Sequence, residues 1–242
     1  MKVFVINLAH RRDRWQHMSG ALSEVGIGNV ERIEAVNGRE ADLRGCIHHV
    51  RMWLYNISPR RTLGAIGCFL SHRIIWRRMV DEQIPMALVL EDDCTFGAWK
   101  PEVTALDLPA MGLDMLRLGA NPTRYGNYRN QVTRTPLKAV SRSCPGFDIS
   151  LDQTAGTLAY LLTLDGARKM LRCRKYWFPV DHFDVWHRFY GVRSGLCLPR
   201  VVEQFASRSD IVEKKGFRFM RRWRRRASNL LRRLLTRPLQ TG

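Results

Sequence analysis

An α/β fold is predicted by three features of the sequence. Short β-rich apolar runs alternate along the chain with stretches of helical periodicity. One run, MALVL (Met86 to Leu90), leads directly into three consecutive acids, Glu91, Asp92 and Asp93. That is the pattern of a central strand whose carboxyl end meets a ligand crevice. The 242 residues, 45% of them hydrophobic, are enough to bury one substantial core.

The elements follow in order. VFVINL (Val3 to Leu8) reads as a buried strand, and the segment after HRRDRW as a helix ending near Gly26. RIEAV (Arg32 to Val36) is the expected second strand, closed by the turn Asn37-Gly38. Residues 44–62 are mixed, basic and partly helical. In LGAIGCFLSHRIIWRRMVDEQ, Ile66, Leu70, Ile74 and Met79 fall near helical spacing, widened by Phe69, Ile75 and Trp76, and the helix is expected to stop before Pro85. MALVL, MLRLG (Met115 to Gly119) and TLAYLLT (Thr157 to Thr163) are further strands, and Leu164 to Arg172 a helix. FPVDHFDVW is a loop entering a helix. Between MLRLG and TLAYLLT, Asn121 to Phe147 carries five basic residues and no acid, and reads as a long loop of the kind that covers sites.

The charge is uneven. The net is +18, and Lys214 to Gly242 alone holds eleven Lys or Arg and no acid. That leaves 29 of the 40 basic residues and all 22 acids in the first 213, a moderately basic body with an extremely basic tail. We divide the chain accordingly, 1–213 as the globular domain and 214–242 as the tail. The six cysteines, at 46, 68, 94, 144, 173 and 197, form no C-x-x-C pair. Their irregular spacing reads as reduced, mostly structural thiols and argues against a zinc site. No apolar run approaches the roughly 18 residues of a membrane span, and the opening apolar stretch is too short for a signal-peptide core, so a cytoplasmic protein is expected.

Three adjacent carboxylates repel one another unless something cationic, water or a helix N-terminus holds them. If the strand geometry persists, Glu91 and Asp93 point together with Asp92 opposite. Two hard oxygen donors so close suit Mg²⁺ or Mn²⁺. The alternative is a solvated strand end whose acids pair with nearby arginines.

The sequence resembles glycosyltransferase family 25, the bacterial lipooligosaccharide galactosyltransferase group related to animal collagen galactosyltransferases. VFVINLAHRRDRW, EAVNG, LGAIGCFLSHRIIW, ALVLEDD, DMLRLG, GTLAYLLTLDGARKML and PVDHFDVW stand in the family's order, over about residues 1 to 205. His10, Asn37 and Ala65 depart from its pattern, Ala65 standing where glutamate is usual.

The resemblance implies a GT-A-type, Rossmann-like domain that binds a nucleotide sugar, and an inverting transfer. By analogy with the D-x-D motif of such enzymes, Asp93 with Glu91 would hold Mn²⁺ or Mg²⁺, and Glu91 and Asp92 would assist the metal or the donor. Asp181, then Asp184, are the expected catalytic bases, each open to a plain helix-capping role. Asn7, Arg11 and Arg14 would contact the donor or else form a solvated helix face, and His72 would serve a structural or donor-pocket role. His182 is an extra metal ligand or a lone surface histidine. Gly64 and Gly67 are expected to allow close helix packing rather than phosphate binding.

The tail has its own pattern. Phe219, Met220, Trp223, Ala227, Leu230, Leu231 and Leu234 recur at three- and four-residue steps, with arginines between them. This is the pattern of a basic amphipathic helix on an anionic membrane surface. A partner protein and nucleic acid are the rivals. The absence of a recognisable nucleic-acid module in the body and the paired leucines argue against nucleic acid.

The expected function is therefore a metal-dependent hexosyltransferase. It would move galactose from UDP-galactose to a lipid-linked oligosaccharide of lipopolysaccharide type, at the inner face of the cytoplasmic membrane. The alternatives are a catalytically lapsed relative that binds UDP-sugar or glycan, and a basic membrane- or nucleic-acid-binding protein.

Overall fold

The apolar runs become strands β1 (Lys2–Asn7), β2 (Val30–Glu34), β3 (Met86–Glu91), β5 (Met115–Gly119) and β7 (Ala159–Thr163), and the structure adds four strands that the sequence reading does not anticipate, β4 (Cys94–Thr95), β6 (Asp148–Ser150), β8 (Ser194–Leu198) and β9 (Glu203–Gln204). The periodic stretches become helices α1 (Arg12–Glu24), α2 (His49–Leu54), α3 (Leu63–Asp81), α4 (Leu164–Leu171) and α5 (Phe183–Tyr190). The structure, a computed structural model, describes residues 1–54, 62–119, 148–150, 156–198 and 200–205. The loop expected over Asn121 to Phe147 and the helix expected in the tail lie outside the described residues.

Seven strands form one sheet in the order β2-β1-β3-β7-β5-β8-β6, and β4 and β9 form a separate pair. β1 pairs parallel with β2 and β3, and β5 parallel with β8. β7 runs antiparallel between β3 and β5. The central strands are mostly apolar, with Arg117 of β5 the charged exception, because both sheet faces are covered. On one face Phe4, Ile6, Ala87, Val89, Tyr160 and Leu162 meet the helices α3, α4 and α5. On the other, Val3, Val5, Leu88, Leu90 and Leu161 meet Met18 and Leu22 of α1.

β2 begins and ends two residues before the run RIEAV. The reason is that Val36 has left the sheet: its N–H donates to Ser71 Oγ (2.8 Å), and Ser71 donates to the Gly67 carbonyl (2.7 Å). α3 lies directly on this turn. A Cβ on Gly67 would stand 2.7 Å from the Gly38 nitrogen, so the close-packing role expected for Gly67 holds. α3 buries Ile66, Phe69, His72, Ile75, Trp76 and Met79. Ile74, read as part of the stripe, is instead 43% exposed, and the buried face passes through His72. α5 locks against α3 through Trp186, whose ring meets Trp76 edge-on at 5.4 Å and whose Nε1 donates to the Val180 carbonyl.

Candidate active site

β1 and β3 are parallel neighbours with Ile6 opposite Glu91, so Asn7 ends its strand beside the acids. Asn7 is buried and shares its amide between three partners. Its Nδ2 donates to Asp92 Oδ2 (2.7 Å) and to the Arg11 carbonyl (3.0 Å), and its Oδ1 accepts from Arg32 Nη2 (2.5 Å). Arg14, one turn into α1, donates to Asp92 Oδ1 (2.8 Å). Asp92 is thus fixed on both oxygens by residues of β1 and α1. Burial pushes its pKa up, while the Arg14 and Asn7 hydrogen bonds oppose that rise. For this acid, pairing with a nearby arginine is the correct account.

Glu91 faces the other side of the sheet. Because β7 is antiparallel, its approach brings Thr157 beside the carboxyl end of β3, and Thr157 Oγ1 donates to Glu91 Oε1 (2.5 Å). Behind Glu91 stands His72, fully buried, with Nε2 3.7 Å from the same oxygen. His72 Nδ1 is 2.8 Å from the Tyr160 hydroxyl, which also accepts from Trp76 Nε1 (3.2 Å). His72 therefore lies inside the core directly behind Glu91.

Asp93 lies in the turn after β3. Asp92 and Asp93 form that turn, so the extended geometry ends at Glu91. Gln204 of β9 donates to Asp93 Oδ2 (2.7 Å), and the Phe205 N–H to the Asp93 carbonyl (2.6 Å). Asp93 Oδ1 is buried and has no hydrogen-bond partner among the described residues. Burial first, and then the charge of Glu91, lift the Asp93 pKa to about 6. A buried carboxylate oxygen without a donor, close enough to a second acid to feel its charge, fits a divalent cation. The three acids thus have three different settings: Asp92 locked to arginine, Glu91 braced by Thr157 and His72, and Asp93 half satisfied.

The other expected residues are placed as follows. Arg11 forms a salt bridge to Asp13 (2.7 Å) at the start of α1. Asp184 is exposed in the first turn of α5, as a helix-start acid would be, and Asp181 is half-buried just before that helix. His182, also half-buried, occupies the N-cap position of α5. The segment is anchored by Phe183, whose ring lies 4.6 Å from the buried Arg117 guanidinium on β5. Ala65 is partly buried against the core in the first turn of α3.

Four contributors escaped the sequence reading: Arg32, Thr157, Tyr160 and Gln204. A signal existed for Thr157 and Tyr160 only in the run TLAYLLT, where polar atoms interrupt an apolar strand. Gln204 lies 111 residues from Asp93, and nothing local marks it.

Comparison with known proteins adds to this geometry. Residues 1–184 match glycosyltransferase family 25, described as LPS biosynthesis protein. The chain is 31% identical over 196 residues to human procollagen galactosyltransferase 2, covering 75% of this chain and 29% of that protein. It is 33% identical over 193 residues to zebrafish (Danio rerio) procollagen galactosyltransferase 1, covering 75% and 30%. It is also 31% identical over 209 residues to the human inactive glycosyltransferase 25 family member 3, covering 75% and 31%. The chain thus spans under a third of the length of these curated relatives. Among solved structures, the galactosyltransferase LgtC, in complex with donor and acceptor sugar analogs, aligns over 99% of this chain and 98% of its own at 12% identity, with a TM-score of 0.43.

Proposed function

Because the chain belongs to glycosyltransferase family 25, we propose that it transfers a hexose from a nucleotide sugar, UDP-galactose as the expected donor, to a lipooligosaccharide or lipopolysaccharide core. The observation that carries this reading is Asp93: at the end of the central strand, one carboxylate oxygen is held by Gln204 and the other is buried without a partner beside Glu91. Galactose as the sugar is supported by the similarity to procollagen galactosyltransferases, and the acceptor by the family's description.

Asp93 Oδ1 and Glu91 are the residues that would hold Mn²⁺ or Mg²⁺. Such an ion supplies charge neutralisation to a diphosphate leaving group. The rest falls to the chain. Asp92, Arg14 and Asn7 form a rigid floor between β1 and β3, so the acids need no rearrangement on donor binding. Asp181 is the proposed base: it takes the acceptor hydroxyl proton as the acceptor oxygen bonds to the sugar's anomeric carbon and the bond to UDP breaks. Asp184, exposed on α5, is the second candidate. The tail, residues 214–242, would hold the enzyme at the inner face of the cytoplasmic membrane, where a lipid-linked acceptor resides.

The test is UDP release from a panel of UDP-sugars with a lipooligosaccharide acceptor, with and without Mn²⁺, beside an Asp93→Asn variant. Release from one sugar that requires both Mn²⁺ and Asp93 is expected. A second reading, a lapsed relative, is favoured by the similarity to a family member named inactive. It predicts Mn²⁺-dependent UDP binding without release. No Mn²⁺-dependent UDP binding at all would overturn both.

A further inference from the structure

Cys68 and His72 are four residues apart on α3, which places them on one helix face. Glu91 ends the strand that this face covers. The Cys68 thiol sulfur, a His72 ring nitrogen and a Glu91 carboxylate oxygen all lie within 4.8 Å of one another. Cys68 is not in a disulfide. His72 is 0% exposed, and its Nε2, aimed at Glu91 from 3.7 Å, has no hydrogen-bond partner among the described residues. A buried ring nitrogen without a hydrogen-bond partner calls for an explanation, and a bound ion is one.

We propose that Cys68, His72 and Glu91 form a binding site for a thiophilic divalent cation, Zn²⁺ in chemical class, distinct in donor chemistry from the Mn²⁺ or Mg²⁺ proposed at Asp93, with Glu91 common to both donor sets. The donor set decides the class: a thiolate and an imidazole suit zinc and cobalt, whereas magnesium and manganese take oxygen. With metal–ligand distances of about 2.0 to 2.3 Å, tetrahedral ligands stand roughly 3.3 to 3.8 Å apart. The His72–Glu91 separation already meets this, and the sulfur needs a side-chain adjustment of about 1 Å. Three protein ligands leave the fourth position to water, because Cys68 and Glu91 are both partly open to solvent.

The surroundings of His72 support the assignment. A metal-bound histidine donates its other ring N–H to a fixed acceptor. The Tyr160 hydroxyl, 2.8 Å from Nδ1 and itself held by Trp76, is placed to be that acceptor when Nδ1 carries the ring proton. With Nδ1 protonated, Nε2 presents its lone pair to the space between Cys68 and Glu91. Binding releases the Cys68 thiol proton to solvent, and the cation is then held by thiolate, imidazole and carboxylate. The cysteine spacing, which argued against zinc, missed the site because it mixes one cysteine with a helix histidine and a strand acid.

The test uses Co²⁺ alone, added to the full chain under a non-thiol reductant, with no sugar nucleotide present. This keeps it independent of the transferase reading. One equivalent should give a thiolate-to-cobalt charge-transfer band. The band should vanish in Cys68→Ser and persist in Cys46→Ser, a half-buried cysteine elsewhere. In Glu91→Gln the Co²⁺ affinity should fall by on the order of tenfold or more. Circular dichroism confirms that each variant is folded. No band in the parent protein, a band that survives Cys68→Ser, or an affinity unmoved by Glu91→Gln would each overturn the site.

Discussion

A proton and the proposed cation would compete for Asp93. Its carboxyl pKa is raised from 3.8 to about 6, chiefly by burial and then by Glu91. The folded state therefore holds this proton more tightly than the unfolded chain does. Stability falls as pH rises from about 4 to about 6 and is flat above, a loss of up to about 3 kcal/mol at neutral pH. Asp93→Asn removes that loss. In metal-free buffer its melting temperature should exceed that of the parent at pH 7, with the gap closing toward pH 4; a variant that melts lower at pH 7 would contradict this account. Arg14 poses the opposite case. Arg14→Met strands the buried Asp92 carboxylate and should cost about 3 to 5 kcal/mol in urea unfolding at pH 7, most of it recovered by adding Asp92→Asn. At this scale the sequence displayed the three acids and Arg14 but not their assignment. Which acid meets which partner depends on the turn after β3, and no spacing rule encodes that turn.

The helix–turn contact between α3 and residues 36–38 positions everything behind Glu91. Ser71 accepts the Val36 N–H and donates to the Gly67 carbonyl, and Gly67 lets the two backbones touch. Ser71→Ala leaves the part-buried Val36 N–H unsatisfied and should cost about 1 to 2 kcal/mol. Gly67→Ala forces the backbones apart and should cost at least as much. Because both act on one contact, the double variant should lose less than the sum of the singles, measured by chemical unfolding. The helix itself was legible, since its apolar residues outnumber what one face needs. That same excess hid the true face: Ile74 fits a four-residue step but stays in solvent, while polar His72 goes inside. The direction of β7 was hidden for a related reason. Covered on both faces, it has the continuous apolar pattern of a parallel strand, although it runs antiparallel to β3.

On the scale of the whole molecule, the alternation of strands and helices made the α/β class legible, while the closing contact was not. The described chain returns at its end to the acids, where β9 pairs with β4 and Gln204 reaches Asp93. A boundary at 213 keeps this return, whereas a boundary before Glu203 removes it. A chain ending at residue 213 should therefore unfold at the temperature of the full chain and keep the proposed Mn²⁺-dependent affinity for UDP. A chain ending at residue 202 should lose that affinity by tenfold or more, because Asp93 loses its positioning donor. The two halves of the charge separate at the same boundary. Removing 214–242 deletes eleven positive charges and no negative one. Each basic residue near an anionic leaflet contributes about 1 kcal/mol, screened within a Debye length. Full-length protein should sediment with phosphatidylserine-containing vesicles at low salt and be released as ionic strength rises, and the chain ending at 213 should remain in solution throughout. Sedimentation by the truncated chain would move the membrane contact to the body. Full-length protein that binds RNA but not vesicles would replace the membrane with nucleic acid as the tail's partner.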